Sequence, residues 1–300
     1  MDINIIGVPI MYGCDKEGAQ YGPEKLRESG IVEIIEEEGH KVYDLGNIYI
    51  PEVSESKKYV DHEKIKYLSP VADINTNLAN GVYCSLEAGY FPFIIGGDHS
   101  LGLGSIAGAS KHFKKKMAVI WIDAHRDTNT FETSPSANAH GMPLSSSMDE
   151  GHEILRNIYY QGQKVKPKDV YIIGGRQIDP GEFELEKRID ANIYDMDRVR
   201  VIGLERVIGE VLDKINSSDV DGVHLSFDID ALDESLVPGT GTPEAEGFTM
   251  DEGKELFTEF LGQGFVTSMD FVEFNPLLDK EDVTLKTCIE MLRHIFSLLK

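Results

Sequence analysis

The sequence predicts an α/β protein in which helices cover both faces of a mostly parallel sheet of about eight strands. Three observations lead there. Short apolar runs alternate with longer segments of helical period, the βαβ pattern of a parallel sheet buried on both sides. Some strand runs, MAVIWI at 117–122 above all, are apolar at every position rather than at every second one. No internal repeat, low-complexity tract or Pro/Gly/Ser-rich linker divides the 300 residues, a length that suits one large domain or two small ones.

The elements follow in order. Asn4–Pro9 reads as a strand. Pro23–Glu38 reads as one helix, with Pro23 at its first position, where no N–H is needed, and Gly39 just past its end. His40–Leu45 is a strand, Pro70–Ala88 a helix closing on Gly89, Phe91–Ile95 a strand and Ser100–Phe113 a Gly-rich helix. Met117–Ile122 is a strand, and it opens an irregular stretch from Asp123 to Asp149. A loop that long in a compact domain is usually functional. Val170–Ile173 and Asn192–Tyr194 are strands flanking a helix near Asp179–Lys187, and Leu204–Ile215 is an amphipathic helix. Gly222–Phe227 is a strand. Thr249-x-x-Glu252 is a capping box opening a helix to Leu261. Phe265–Met269 is a strand and Val283–Leu299 the final helix.

Composition narrows the function classes. An apolar fraction of 41% supports a substantial core. Against 29 Lys+Arg stand 52 Asp+Glu, a formal charge of −23. No basic footprint for nucleic acid is expected at that balance, and no attraction to anionic lipid. Cys14, Cys84 and Cys288 lie far apart with no CxxC, which points to thiols in a reducing, cytoplasmic setting rather than a disulfide framework. The start, MDINIIGVPI, has an acid at position 2 and reads as a buried strand rather than a signal peptide. No apolar run approaches membrane-spanning length.

Four segments share one layout, an apolar strand with acids or histidines where it ends: FPFIIGGDHS (91–100), MAVIWIDAHRDTN (117–129), GVHLSFDIDALD (222–233) and GFVTSMDFVEFNP (264–276). In open parallel sheets ligands gather outside the carboxyl ends of the strands. His99, Asp123, His125, Asp127, Asp228, Asp230 and Glu273 are therefore expected on one rim. Asp123, His125 and Asp127 stand at i, i+2 and i+4, which share a face in extended chain, and Asp228 and Asp230 repeat the spacing. Four aspartates and two histidines so close resist ionisation unless cations neutralise them. Two divalent cations match the four aspartate charges. Hard oxygen donors with two imidazoles and no thiolate suit Mn²⁺ best and also admit Mg²⁺, Zn²⁺, Fe²⁺, Co²⁺ and Ni²⁺. Any fragment alone has a blander reading, since a lone DxD is usually a cap, a turn or a solvated face. Four such fragments on four strand ends are a different matter.

Those residues carry a resemblance. GGDHS, WIDAHRDTN, SFDIDALD and EFNP, in that order, together with GVPIMYGCDKEGAQYGPEKLRESG near the start, resemble the ureohydrolases, the arginase and agmatinase superfamily, over essentially the whole chain. The resemblance implies one arginase-type domain over residues 1–300 with three αβα layers, and two Mn²⁺ per chain. His99, Asp123, Asp127 and Asp228 would hold one ion and Asp123, His125, Asp228 and Asp230 the other, with Asp123 and Asp228 bridging. A bridging hydroxide, hydrogen-bonded by Asp127, would attack the guanidinium carbon that Glu273 aligns. His140 would transfer a proton to the leaving amine. Thr242 of TGTP would lie near the site.

Two loops resemble the substrate-binding stretches of the arginase branch of the superfamily and favour arginine over agmatine. In FETSPSANAHGMP the residues Ser136 and Asn138, with Asn129 just before, would bind an α-carboxylate; in GGRQIDPGE, Asp179 and Glu182 would meet an α-ammonium. Both ends belong to L-arginine, which the reaction would convert to L-ornithine and urea. Agmatine has no carboxylate for these loops. The alternatives are another ureohydrolase (agmatinase, guanidinobutyrase or formimidoylglutamase) and a non-catalytic metal-bound protein of the same fold. Family resemblance also implies a homo-oligomer, a trimer or hexamer. The chain departs from the pattern at Arg126, in a position usually small, which is expected to face away from the metals and contact protein. It departs again at Gln177, where an acid is common, and at Ala231, where glycine is frequent. His112, His152, His224 and His294 lie outside these motifs and read as surface or core histidines.

Overall fold

The computed structural model describes residues 1–300 and contains one eight-stranded sheet in which every strand pairing is parallel. The strands are β1 (Asp2–Val8), β2 (Lys41–Asn47), β3 (Phe91–Gly96), β4 (Met117–Ile122), β5 (Val170–Ile173), β6 (Asn192–Tyr194), β7 (Gly222–Asp228) and β8 (Val266–Val272). Their order across the sheet is β2-β1-β3-β8-β7-β4-β5-β6. The four central strands, β3, β8, β7 and β4, are the four whose ends carry GGDH, EFNP, DID and DAHRD. Neighbouring strands lie about 4.8 Å apart, so each motif is next to another and the outer two, on β3 and β4, are three spacings apart along one rim.

Alternation along each strand divides the core. Ile120, Ile122, Leu225 and Phe227 pack with Phe257, Phe260, Leu292 and Phe296 of helices Met250–Gly262 and Val283–Leu298 on one face. Val119, Trp121 and Ile94 pack with Leu78, Val82 and Ile106 of helices Leu68–Glu87 and Gly102–His112 on the other. The glycines of the second helix permit that contact. A Cβ at Gly104 or Gly108 would run into the Asn75 or Ala79 carbonyl.

The structure departs from the sequence reading in several places. The segment expected as one helix over Pro23–Glu38 is two, Gly22–Glu28 and Ile31–Glu37, because Gly30 between them takes a left-handed φ of 88°. The helix expected from Ser100 starts at Gly102, after a 3-10 turn over His99–Leu101 whose Ser100 N–H is capped by Asp98 at 3.0 Å. The stretch 123–149 contains a 3-10 turn at Ala139–Gly141 and a short helix at Pro143–Ser147. A further helix, Met196–Ile202, follows β6. The Thr249–Glu252 capping box forms as expected.

Candidate metal centre and cleft

β3 ends and the chain turns through Gly97 and Asp98, placing His99 beneath the rim. Its ring stacks flat on Trp121, 3.9 Å between centroids, and is buried. Its Nδ1 lies 2.9 Å from Asp123, 3.2 Å from Asp228 and 3.4 Å from Asp127. On the other side of Asp123, His125 Nδ1 lies 3.4 Å from that carboxylate and 3.2 Å from Asp230. His99, Asp123 and Asp127 thus form one possible ligand group and Asp123, His125 and Asp230 a second, sharing Asp123. All six predicted ligands come together, with Asp228 against the first group.

Local hydrogen bonds aim these acids. Asp123 accepts from the His125 N–H at 2.7 Å and from Trp121 Nε1 at 3.1 Å. Asp228 accepts from the Asp230 N–H at 2.9 Å, and Asp230 from the Ala124 N–H at 3.2 Å and Thr242 Oγ1 at 3.1 Å. Asp127, at φ 52°, and Glu273, at φ 67°, both occupy the left-handed region that non-glycine residues avoid. Strain of that kind, about 1–3 kcal/mol per residue, persists only where the surroundings dictate it.

The electrostatics fit a cation centre. Burial, reinforced by Asp123, raises the Asp127 pKa well above the usual carboxylate range; burial, reinforced by Asp230 and Asp123, does the same at Asp228. Burial opposes charge on His99, yet close contact with the Asp123 and Asp228 carboxylates raises its pKa well above the ordinary histidine value. Burial would also raise Asp123, but His125 and His99 hold it below its usual range. His99 Nδ1 is buried with no well-formed hydrogen bond, although three carboxylates surround it. A nitrogen so placed suits a ligand lone pair better than a proton.

Behind His99 the sequence reading missed a network. Its Nε2 meets Ser226 Oγ at 2.8 Å, and that hydroxyl donates to Asp270 at 3.3 Å. Asp270 also accepts from Ser105 Oγ at 2.6 Å and pairs with His224 at 2.9 Å, all fully buried. His224 is the core histidine expected, yet it belongs to the support of the site. The available signal was an aspartate between two apolar residues, Met269 and Phe271, just past the expected strand end. Arg176, also missed, clamps the Asp230 turn by donating to the carbonyls of Asp230 at 2.8 Å and Leu232 at 3.2 Å.

Above the candidate ligands opens a cleft with no hydrophobic residue in its lining. Glu273 sits at its floor, accepting from the His99 N–H at 2.8 Å and lying 3.2 Å from His140 Nδ1. Burial works against charge on His140, but Glu273 raises its pKa above the ordinary value. Asn129, Ser136, Asp179, Glu182 and Thr242 line the walls, joined by Ser134, which the sequence reading did not select. Asn129 Nδ2 donates to Asp179 at 2.8 Å. Glu182 accepts the N–H groups of Thr128 at 3.0 Å and Asp179 at 2.9 Å, and burial pushes its pKa up to about 7. Asn138 is not in the lining. Its Oδ1 accepts from Lys66 at 2.9 Å and its Nδ2 donates to the Cys14 carbonyl at 3.0 Å. Arg126 faces away from the cleft and meets Glu186 at 2.6 Å, and Gln177 turns out to Glu244 at 2.7 Å. Ala231 is buried where the 3-10 turn Ile229–Ala231 ends.

A floor of carboxylates and imidazoles under wholly polar walls, set across the central strand ends of a parallel sheet, defines a metal-dependent hydrolase of the α/β class. Within that class the chain belongs to the arginase family, whose model matches residues 1–297. It is 41% identical over 296 residues to an arginase of Brevibacillus brevis, an alignment covering 99% of this chain and 98% of that one. The arginase structure from Bacillus cereus superposes with a TM-score of 0.91 at 38% identity, covering 99% and 98% of the two chains. The structure of an Entamoeba histolytica arginase in complex with L-ornithine superposes with a TM-score of 0.89 at 32% identity, covering 98% of each.

Proposed function

We propose that this enzyme hydrolyses L-arginine to L-ornithine and urea with two Mn²⁺ per chain. The observation that carries the reading is that groups suited to both ends of arginine line one cleft, Glu273 at the floor and Asn129, Ser136, Asp179 and Glu182 on the walls. His99, Asp123, Asp127 and Asp228 would hold one ion, and Asp123, His125, Asp228 and Asp230 the other. When bound, such a pair supplies water ionised near neutral pH and positive charge for the transition state.

This chain's residues do the rest. Glu273 pairs with the guanidinium and sets its carbon above the ligand cluster. Asp127, on its left-handed turn, offers a carboxylate to orient the attacking oxygen. His140 keeps a proton through its contact with Glu273 and delivers it to the departing amine. Asp179 and Glu182 meet the α-ammonium. Asn129 and Ser136 meet the α-carboxylate, with Asn138 bracing their loop. The arginase names of the relatives and the ornithine in one of their structures support the substrate. The same reading makes the enzyme a cytoplasmic homo-oligomer, a trimer or hexamer, which fractionation and sedimentation would check.

The test is product release from a substrate panel after Mn²⁺ loading: urea from L-arginine, agmatine and 4-guanidinobutyrate, and formamide from formimidoylglutamate. Arginine should lead agmatine in kcat/KM by at least about a hundredfold, the worth of two contacts at about 1.4 kcal/mol each. Agmatine turned over as well as arginine would refute the arginine reading, and release only from formimidoylglutamate would move the chain elsewhere in the superfamily.

A further inference from the structure

Arg126 stands between two metal ligands, His125 and Asp127, yet it points away from the cleft. Its side chain and that of Glu186 are only 7% and 8% exposed, and Nη1 donates to Glu186 at 2.6 Å. Nη2 reaches Asp195 at 3.4 Å. Gly175 makes the room, since a Cβ there would come within 3.0 Å of Arg126 Cδ and Nε.

Glu186 ends a seven-residue helix, Pro180–Glu186, whose cap is Asp179 and whose third residue is Glu182. Glu182 and Glu186 are four apart and share a face. Two further contacts join the same helix to the same segment. Glu182 accepts the Thr128 N–H at 3.0 Å, and Asp179 accepts Asn129 Nδ2 at 2.8 Å. Together they make three rungs, 126 to 186, 128 to 182 and 129 to 179, running from the protein interior to the cleft wall. Beyond these rungs the helix is held by the close approach of Gly181 to Thr133 and by a small buried face. Glu182 and Leu185 are its only buried residues, and Phe183 is 52% exposed. Two of the rungs end on acids that line the cleft, and the third ends on a charge pair closed off from it.

We propose that Arg126 is a positioning residue for substrate specificity: through Glu186 it fixes the Pro180–Glu186 helix, and with it the Asp179 and Glu182 carboxylates that receive the α-ammonium of the substrate. The inference rests on the proposed role of those two acids. It gives the departure at position 126 a function that touches neither metal nor reacting atoms. Loss of the inner rung, Arg126 to Glu186, lets the helix shift and loosens the ammonium pocket, while the floor at Glu273 and the metal ligands stay in place.

The experiment uses the Mn²⁺-loaded enzyme and two substrates, L-arginine and 5-guanidinopentanoate, which is arginine without its amino group. Arg126→Gln and Glu186→Gln should each raise KM for arginine about tenfold, roughly one lost charge-assisted contact. They should leave kcat and KM for 5-guanidinopentanoate within about twofold and weaken L-ornithine binding by calorimetry in proportion. Arg126→Lys should recover most of the loss. Because Arg126 adjoins ligands, bound Mn²⁺ is measured for every variant; if Arg126→Gln loses metal, Glu186→Gln, remote from the ligands, decides. Equal damage to both substrates, or none to either, overturns the positioning role while leaving the function intact. A wild-type enzyme that handles the two substrates equally well refutes the ammonium-binding role of Asp179 and Glu182, and the inference falls with it.

Discussion

Ser226→Ala should weaken Mn²⁺ binding about ten- to a hundredfold while barely changing the metal-free fold. The Ser226 hydroxyl gives its proton to Asp270 and so can only accept from His99 Nε2, at 2.8 Å. That contact assigns the His99 proton to Nε2 and leaves Nδ1 free for a cation. His99 and Ser226 are 1% and 0% exposed, so water cannot take the hydroxyl's place. Without the acceptor, a buried N–H goes unpaired, at about 1–3 kcal/mol. Above the raised His99 pKa, where the metal-free ring is neutral, the variant escapes that cost. Its imidazole can carry the proton on Nδ1 instead, where Asp123 and Asp228 lie 2.9 and 3.2 Å away. The whole penalty therefore falls on the metal-bound state. At a metal concentration a hundred times the wild-type Kd, wild type gains about 2.7 kcal/mol of stability; a variant binding ten- or a hundredfold more weakly gains about 1.4 or 0.4. Calorimetric titration gives the affinity, and denaturation with and without Mn²⁺ gives the two stabilities. Affinity within twofold of wild type, or an equal stability loss with and without metal, would refute the tautomer argument.

Other outcomes follow from the same geometry. Asp228→Asn should lose at least one Mn²⁺ by elemental analysis and reduce turnover more than a hundredfold, since a ligand should matter more than the supporting residues that cost about 10–100-fold. Glu182 carries a carboxyl raised to about 7 from 4.5, so its buried charge destabilises the fold only once it ionises. The penalty is absent below pH about 4.5 and grows to roughly 3 kcal/mol above pH 7; denaturation at both ends of that window should show wild type losing ground to Glu182→Gln as pH rises. KM for arginine should fall over the same rise, as the carboxylate gains its charge, and a flat KM profile would contradict the role. Asn138→Ala frees Lys66 and the Cys14 carbonyl rather than emptying the cleft wall, so KM for arginine should rise about tenfold through a slack loop, a loss of about 1.4 kcal/mol, with Mn²⁺ content unchanged.

Much of this site was written in strand ends. Short apolar runs alternating with helical segments located all eight strands, and polar residues at the carboxyl ends of four of them named every candidate ligand, because a parallel sheet puts those ends on one rim. Adjacency was not written. That β8 and β7 insert between β3 and β4 is a property of the sheet order, and it is what brings Glu273 and Asp228 to His99. Contacts between distant positions were equally hidden: Ser226 supports His99 from 127 residues away, and Lys66 holds Asn138 from 72. The β8 strand runs three residues past the expected Met269 to Val272, so Asp270, just beyond the expected strand end, is in fact buried within the strand. Gly30 broke a helix whose apolar period continued across it, since periodicity does not register a single left-handed residue. Arg126 faces away from the candidate ligands as expected, but not through the alternation of extended chain, which bends at Ala124 and His125 and a left-handed Asp127 interrupt, and its partner Glu186 lies on a helix whose docking only the fold reveals.

The most direct test of the account is a titration of metal-free enzyme with Mn²⁺, recording bound metal and urea release from L-arginine in the same samples. Two ions should bind per chain, and urea formation should depend on filling both positions. Full arginine turnover with a single bound ion, or none, would contradict the paired use of Asp123 and Asp228 on which the mechanism rests.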